Sequence, residues 1–69
     1  MSPSNLRRAA RMEAILREHH YLDGMTYDSA IADLLSDLRH LLEREGIEID
    51  DVLDMSARNF EMEVVEDTD

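Results

Sequence analysis

The chain has 69 residues, no cysteine, and a formal net charge of −10 at pH 7, with arginine as its only fully basic side chain. At this length one domain sits near the lower limit for a single core without staples, and the missing thiols exclude disulfides, zinc–thiolate sites and cysteine nucleophiles. The charge disfavours nucleic acid and anionic membrane as direct partners and favours basic protein surfaces.

The charge is also uneven. Residues 21–69 hold fifteen acids against three arginines, a balance of −12, whereas residues 1–20 hold four arginines against two glutamates, or +2. No apolar run approaches the roughly 20 residues of a membrane span, and the arginine-containing N-terminal segment lacks the apolar stretch of a secretory signal. Apolar residues make up 43% of the chain and recur at helical spacing, which predicts a fold rather than disorder. The expectation is a cytoplasmic, single-domain protein over residues 1–64, followed by an acidic, disordered tail at 65–69.

The first helix is expected over about 4–20. Ser2-Pro3-Ser4 supplies a capping serine and a proline tolerated in the first turn. Ala9, Met12, Leu16 and His19 share one side, with Ile15 at its edge, and Arg7, Arg11 and Glu18 lie opposite. His19-His20 finish the last turn, where cationic side chains suit the negative end of the helix dipole. The two rings diverge by about 100° on a helix, so one metal ion cannot take both. Tyr21-Leu22-Asp23-Gly24 then breaks the pattern with an Asp-Gly turn signal.

The second helix is expected over about 28–45, with Thr26 or Asp28 as N-cap. Ile31, Leu34, Leu35, Leu38, Leu41 and Leu42 follow the i, i+3, i+4, i+7 rule, and Gly46 is placed to end the helix in a left-handed conformation. Asp33, Asp37 and His40 fall on the side away from the leucines. That spacing can in principle hold a divalent cation, but charged faces opposite apolar stripes are ordinary solvated surface.

The third helix is expected over about 50–63, capped by Asp50, with Ile47 and Ile49 of the connector tucked under the helix pair. Leu53, Ala57, Phe60 and Val64 form its main stripe. Val52, Met55, Asn59 and Met62 form a second one, which either the first helix or a partner must cover. Methionine adapts to irregular surfaces, which suits an interface. The short connector between the second and third helices predicts an antiparallel hairpin, and the fold class is all-α, a compact three-helix domain built on that hairpin.

Nothing in the chain assembles a recognisable catalytic centre. Ser29, Ser36 and Ser56 lie within helices, without the strand-to-helix elbow of a nucleophilic serine. The Asp33/Asp37 pair with Asp50, Asp51 and Asp54 loosely imitates the magnesium carboxylates of all-α nucleotide pyrophosphohydrolases. The Glu-x-x-Glu and Glu-x-x-Asp pattern of those enzymes is missing, as is a Gly-rich phosphate loop. The chain therefore reads as a non-enzyme that needs no cofactor and no metal. Nor is it a nucleic-acid binder, because Arg7, Arg8, Arg11 and Arg17 are spread around their helix and opposed by the acidic body.

The acid itself carries the functional reading. Glu43, Glu45, Glu48, Asp50, Asp51 and Asp54 cluster at the second turn, Asp33 and Asp37 extend the charge along the second helix, and Glu61, Glu63, Glu66, Asp67 and Asp69 along the third. Carboxylates fixed on a scaffold can imitate a row of phosphates and occupy a basic groove, with fast, salt-sensitive association. Met55 and Met62 would add an apolar anchor.

The stretches Ala30-Ile31-Ala32-Asp33-Leu34-Leu35-Ser36-Asp37-Leu38-Arg39-His40-Leu41, Gly46-Ile47-Glu48-Ile49-Asp50-Asp51-Val52-Leu53 and Ala57-Arg58-Asn59-Phe60-Glu61 resemble small helical proteins of bacterial plasmids, phages and other mobile elements. In size, acidity and lack of cysteine the chain is similar in type to phage-encoded anti-CRISPR proteins. That resemblance implies an inhibitor that covers the basic surface of a CRISPR effector or another nucleic-acid-binding protein, and it transfers no residue motif. Two alternatives remain open: a homo-oligomeric structural or accessory protein, such as a homodimer, whose charge serves solubility, and the magnesium-dependent pyrophosphohydrolase-like enzyme.

Overall fold

The computed structural model describes residues 1–66. Its three helices are α1 (Pro3–Glu18), α2 (Tyr27–Glu45) and α3 (Ile49–Glu66), and no strand occurs among the described residues. The all-α, three-helix fold is therefore as the periodicity predicts.

Each helix end has a local cause. Ser2 caps α1, its hydroxyl accepting a hydrogen bond from the Asn5 amide at 3.2 Å, with Pro3 in the first turn. That bond satisfies one of the amides a helix start leaves without a partner. α1 stops two residues before the expected His20, because His20 turns left-handed with φ 65°. The His20 amide then donates to the Arg17 carbonyl at 3.2 Å and the Tyr21 amide to the Leu16 carbonyl at 2.9 Å. These are the paired bonds of a Schellman ending, usually built on glycine.

α2 ends the same way on the expected residue. Gly46 has φ 67°, its amide donates to Glu43 at 3.2 Å, and the Ile47 amide donates to Leu42 at 2.9 Å. At its start Thr26 takes the cap position with extended backbone but makes no side-chain cap bond. Its hydroxyl donates instead to the Asp28 carboxylate. α3 begins one residue earlier than expected: the Val52 amide donates to the Glu48 carbonyl at 3.4 Å, so Glu48 stands at the cap and Asp50 and Asp51 fall in the first turn. There they favour the positive end of the helix dipole. α3 also runs on to Glu66, so positions 65 and 66, expected in a disordered tail, are helical. The rest of that tail, 67–69, lies outside the described residues.

The ends of the helices meet in three corners. Two are the turns at His20 and Gly46. The third is a contact 58 residues apart in sequence, where the Asn5 side-chain amide donates to the Glu63 carbonyl at 3.0 Å. The start of α1 and the end of α3 are thereby joined, and the chain closes head to tail as a triangle. It spreads over 38 × 31 × 16 Å with a radius of gyration of 13.9 Å, against about 11 Å for a compact domain of this length. The packing is looser than the leucine spacing implies, because α3 divides its apolar residues between two faces and α1 offers only a thin stripe. Only Leu16 (4% exposed) and Ala30 (0%) are buried apolar residues among those described. Ile47, expected beneath the helices, is 48% exposed.

Candidate binding surface

The corner between α2 and α3 carries the acid. The left-handed Gly46 turns the chain there, and Glu43, Glu45, Glu48, Asp50, Asp51 and Asp54 all stand exposed around it. Glu45 is held by Arg44 at 2.8 Å. Among the described residues, Glu43, Glu48, Asp50, Asp51 and Asp54 take part in no ion pair. The field of this corner is therefore largely uncompensated. Glu43 and Glu48 also border a shallow groove with Arg39, His40, Leu42 and Ile47, so charge and apolar surface adjoin.

Asp33 and Asp37 continue the acid along α2, both exposed. Asp37 is not a free charge, because the Tyr21 hydroxyl donates to its carboxylate at 2.5 Å. That bond, helped by desolvation and by the negative charges of Asp37 and Asp33, raises the Tyr21 pKa above the ordinary phenol value. Asp37 thus ties the first turn to the side of α2, a role that its helical position alone does not reveal. Met55 and Met62 are 49% and 64% exposed. Met62 borders a small hollow with Arg58, Glu61 and Val65 on α3, separate from the acidic corner.

The structure also forms polar contacts that the sequence reading did not identify. Asn5, only 6% exposed, accepts from Arg8 at 2.6 Å while its amide holds Glu63, and the Arg8 guanidinium lies 3.6 Å from the Glu63 carboxylate. At the other end of α1, Glu13 accepts from Arg17 at 2.8 Å and from the Tyr27 hydroxyl at 2.9 Å. Those hydrogen bonds, Arg17's first, hold the Glu13 carboxyl below the usual carboxylate range and raise the Arg17 pKa in turn. Asp28 is likewise lowered, chiefly by the Thr26 hydroxyl.

No group of three or more histidine, aspartate or glutamate side chains is placed to hold a metal ion among the described residues. Asp33 and Asp37 on α2 and Asp50, Asp51 and Asp54 on α3 are thus not gathered into one cation site. No helix of the described residues is long and apolar enough to cross a membrane. The chain matches no protein-family model, curated protein or solved structure.

Proposed function

We propose that the chain is a non-catalytic acidic binding protein that occludes a basic, nucleic-acid-handling surface of a partner protein. The observation that carries this reading is the exposed cluster Glu43, Glu48, Asp50, Asp51 and Asp54 around one turn, with no ion pair to any of them among the described residues. The turn at Gly46 gathers these exposed carboxylates at one end of the helix pair, as a backbone gathers phosphates. Asp33 and Asp37 lengthen the track, and Glu45 contributes less because Arg44 already meets it. Association is steered by the field and weakens with salt. A CRISPR effector, or another bacterial protein with a basic nucleic-acid groove, is the partner class this surface fits. The chain would act in the cytoplasm, as an inhibitor of the kind carried by phages and mobile elements. Met55, next to Asp54 on α3, supplies apolar contact beside the charge, and Met62 a further apolar contact along the same helix.

The test is capture from a bacterial lysate with release by rising salt, repeated with Asp50→Lys, Asp51→Lys and Asp54→Lys combined. The native chain should retain a nucleic-acid-binding protein and block its binding to nucleic acid. The triple variant should stay helical and retain none. Undiminished capture and inhibition by that variant would refute the proposal.

A further inference from the structure

We propose that the chain docks on a second copy of itself through one apolar face shared by its three helices. A groove of about 540 Å³ between α1 and α2 is walled by Leu16, Ile31, Leu34, Leu35 and Leu38. Another, of about 560 Å³, runs between α1 and α3 beside Phe60 and Val64. Ala9 and Met12 line both, which makes the two grooves one continuous surface. Met12, Ile31, Leu35, Leu38, Phe60 and Val64 all stand exposed along it.

The area of the isolated chain states how much must be covered. It exposes 5791 Å² at a mass of 8.0 kDa, whereas a folded monomer of that mass exposes about 4,450 Å² by size scaling. The excess, about 1,300 Å² per copy, corresponds to a homodimer interface of about 2,700 Å², within the range of obligate homodimers. Leu16 and Ala30 alone are too small a buried set to offset the ordering of three helices, which costs roughly 1.5 kcal/mol per residue.

Charge selects the occupant. The carboxylates lining the grooves are Glu13 and Glu63, and the chain's own arginines meet both, Arg17 at 2.8 Å and Arg8 at 3.6 Å. The face is therefore locally neutral on a chain of −10. A basic partner finds no uncompensated acid on it, while a second copy finds apolar side chains like its own. The uncompensated carboxylates of the α2–α3 corner do not line this face. A two-fold pairing uses the same patch on both copies, and salt screens the repulsion between the two acidic bodies beyond about 8 Å at physiological ionic strength. Self-association thus strengthens with salt, opposite to the binding of a basic partner.

The experiment is the solution mass of the full chain by light scattering and sedimentation, over a range of concentration and salt. The expected mass is twice the 8.0 kDa of one chain, with dissociation weakening as salt rises. Leu35→Asp should give single chains, and Met55→Asp or Met62→Asp should leave the pair intact. Leu35→Ala, which removes volume without adding charge, should retain helicity and weaken the dimer about a hundredfold, since each substitution acts on both sides of the interface. A native chain that stays single, one that forms a larger assembly, or a dimer that Leu35→Ala leaves unweakened while Met62→Asp breaks it would overturn the proposal.

Discussion

Replacing Asn5 by alanine should open the triangle at its third corner. Three effects set the magnitude. The amide bond to the Glu63 carbonyl, 3.0 Å long from a side chain only 6% exposed, contributes about 0.5–1.5 kcal/mol net. The Asn5 carbonyl also accepts from Arg8 at 2.6 Å; a charged donor strengthens such a bond, and partial exposure of Arg8 limits it to about 1 kcal/mol. Against these, alanine favours the helix over asparagine by up to about 0.7 kcal/mol. The net loss is roughly 1–2 kcal/mol, a large part of the at most about 3–5 kcal/mol available to a core of this length. For a domain of this length it corresponds to a fall in Tm of about 6–12 °C. Thermal melts by circular dichroism at one fixed protein concentration read the loss. A donor–acceptor dye pair on Ser4→Cys and Glu61→Cys, in a chain otherwise free of cysteine, reads the opening. Asn5→Asp keeps the acceptor for Arg8 but removes the donor to Glu63, so it should open the corner as well. A Tm within about 2 °C of the parent and an unchanged dye separation would refute the reasoning.

The two Schellman turns give a contrasting pair. His20→Gly relieves a left-handed conformation that a side chain resists by roughly 1 kcal/mol and should raise Tm by a few degrees. Gly46→Ala should lower it by a similar amount, with no clash involved because open space surrounds the added Cβ; equal effects of one sign at both sites would contradict this. In a Tyr27→Phe background, ultraviolet titration should find Tyr21 ionising above the ordinary phenol value, and Asp37→Asn should bring it down. Because the folded pKa is raised, the contribution of this bond to stability is complete below the ordinary phenol pKa and is lost as pH rises through the folded value. Chemical denaturation across that alkaline window checks the sign, and a contribution that grows with pH would contradict it.

How much of this was legible beforehand depends on the range over which each feature is determined. Ser2-Pro3 and Gly46 act within one turn of the backbone, so they mark helix ends in any context, and the leucine spacing of α2 identifies its apolar side. His20 misleads for a related reason. A histidine pair after a helical run looks like a last turn, and the nearest breaker signal, Asp23-Gly24, comes three residues later. Asn5 gives no signal at all, since a short polar residue near a helix start resembles surface and its partner lies 58 residues away. Asp37 illustrates the same limit, because helical period places it opposite the leucines but does not indicate that Tyr21 reaches it from the preceding turn. The acidic positions around Gly46 were readable one by one, whereas the partner of a surface is not encoded by the surface's own spacing.

The corner at Asn5 and Glu63 has a consequence for exchange between molecules. Its two halves belong to the first and last helices, and the backbone that separates them turns at Gly46, with nothing within 4 Å of the space a side chain would occupy there. An α3 swung out about that glycine can place its Glu63 carbonyl on Asn5 of another molecule and recover the same hydrogen bonds it left. Donor and acceptor are identical in the closed and the exchanged arrangement, so only the turn conformation distinguishes the two. The protein thus carries the topology for helix swapping, in which chains of an assembly trade arms without losing the contacts that define the fold.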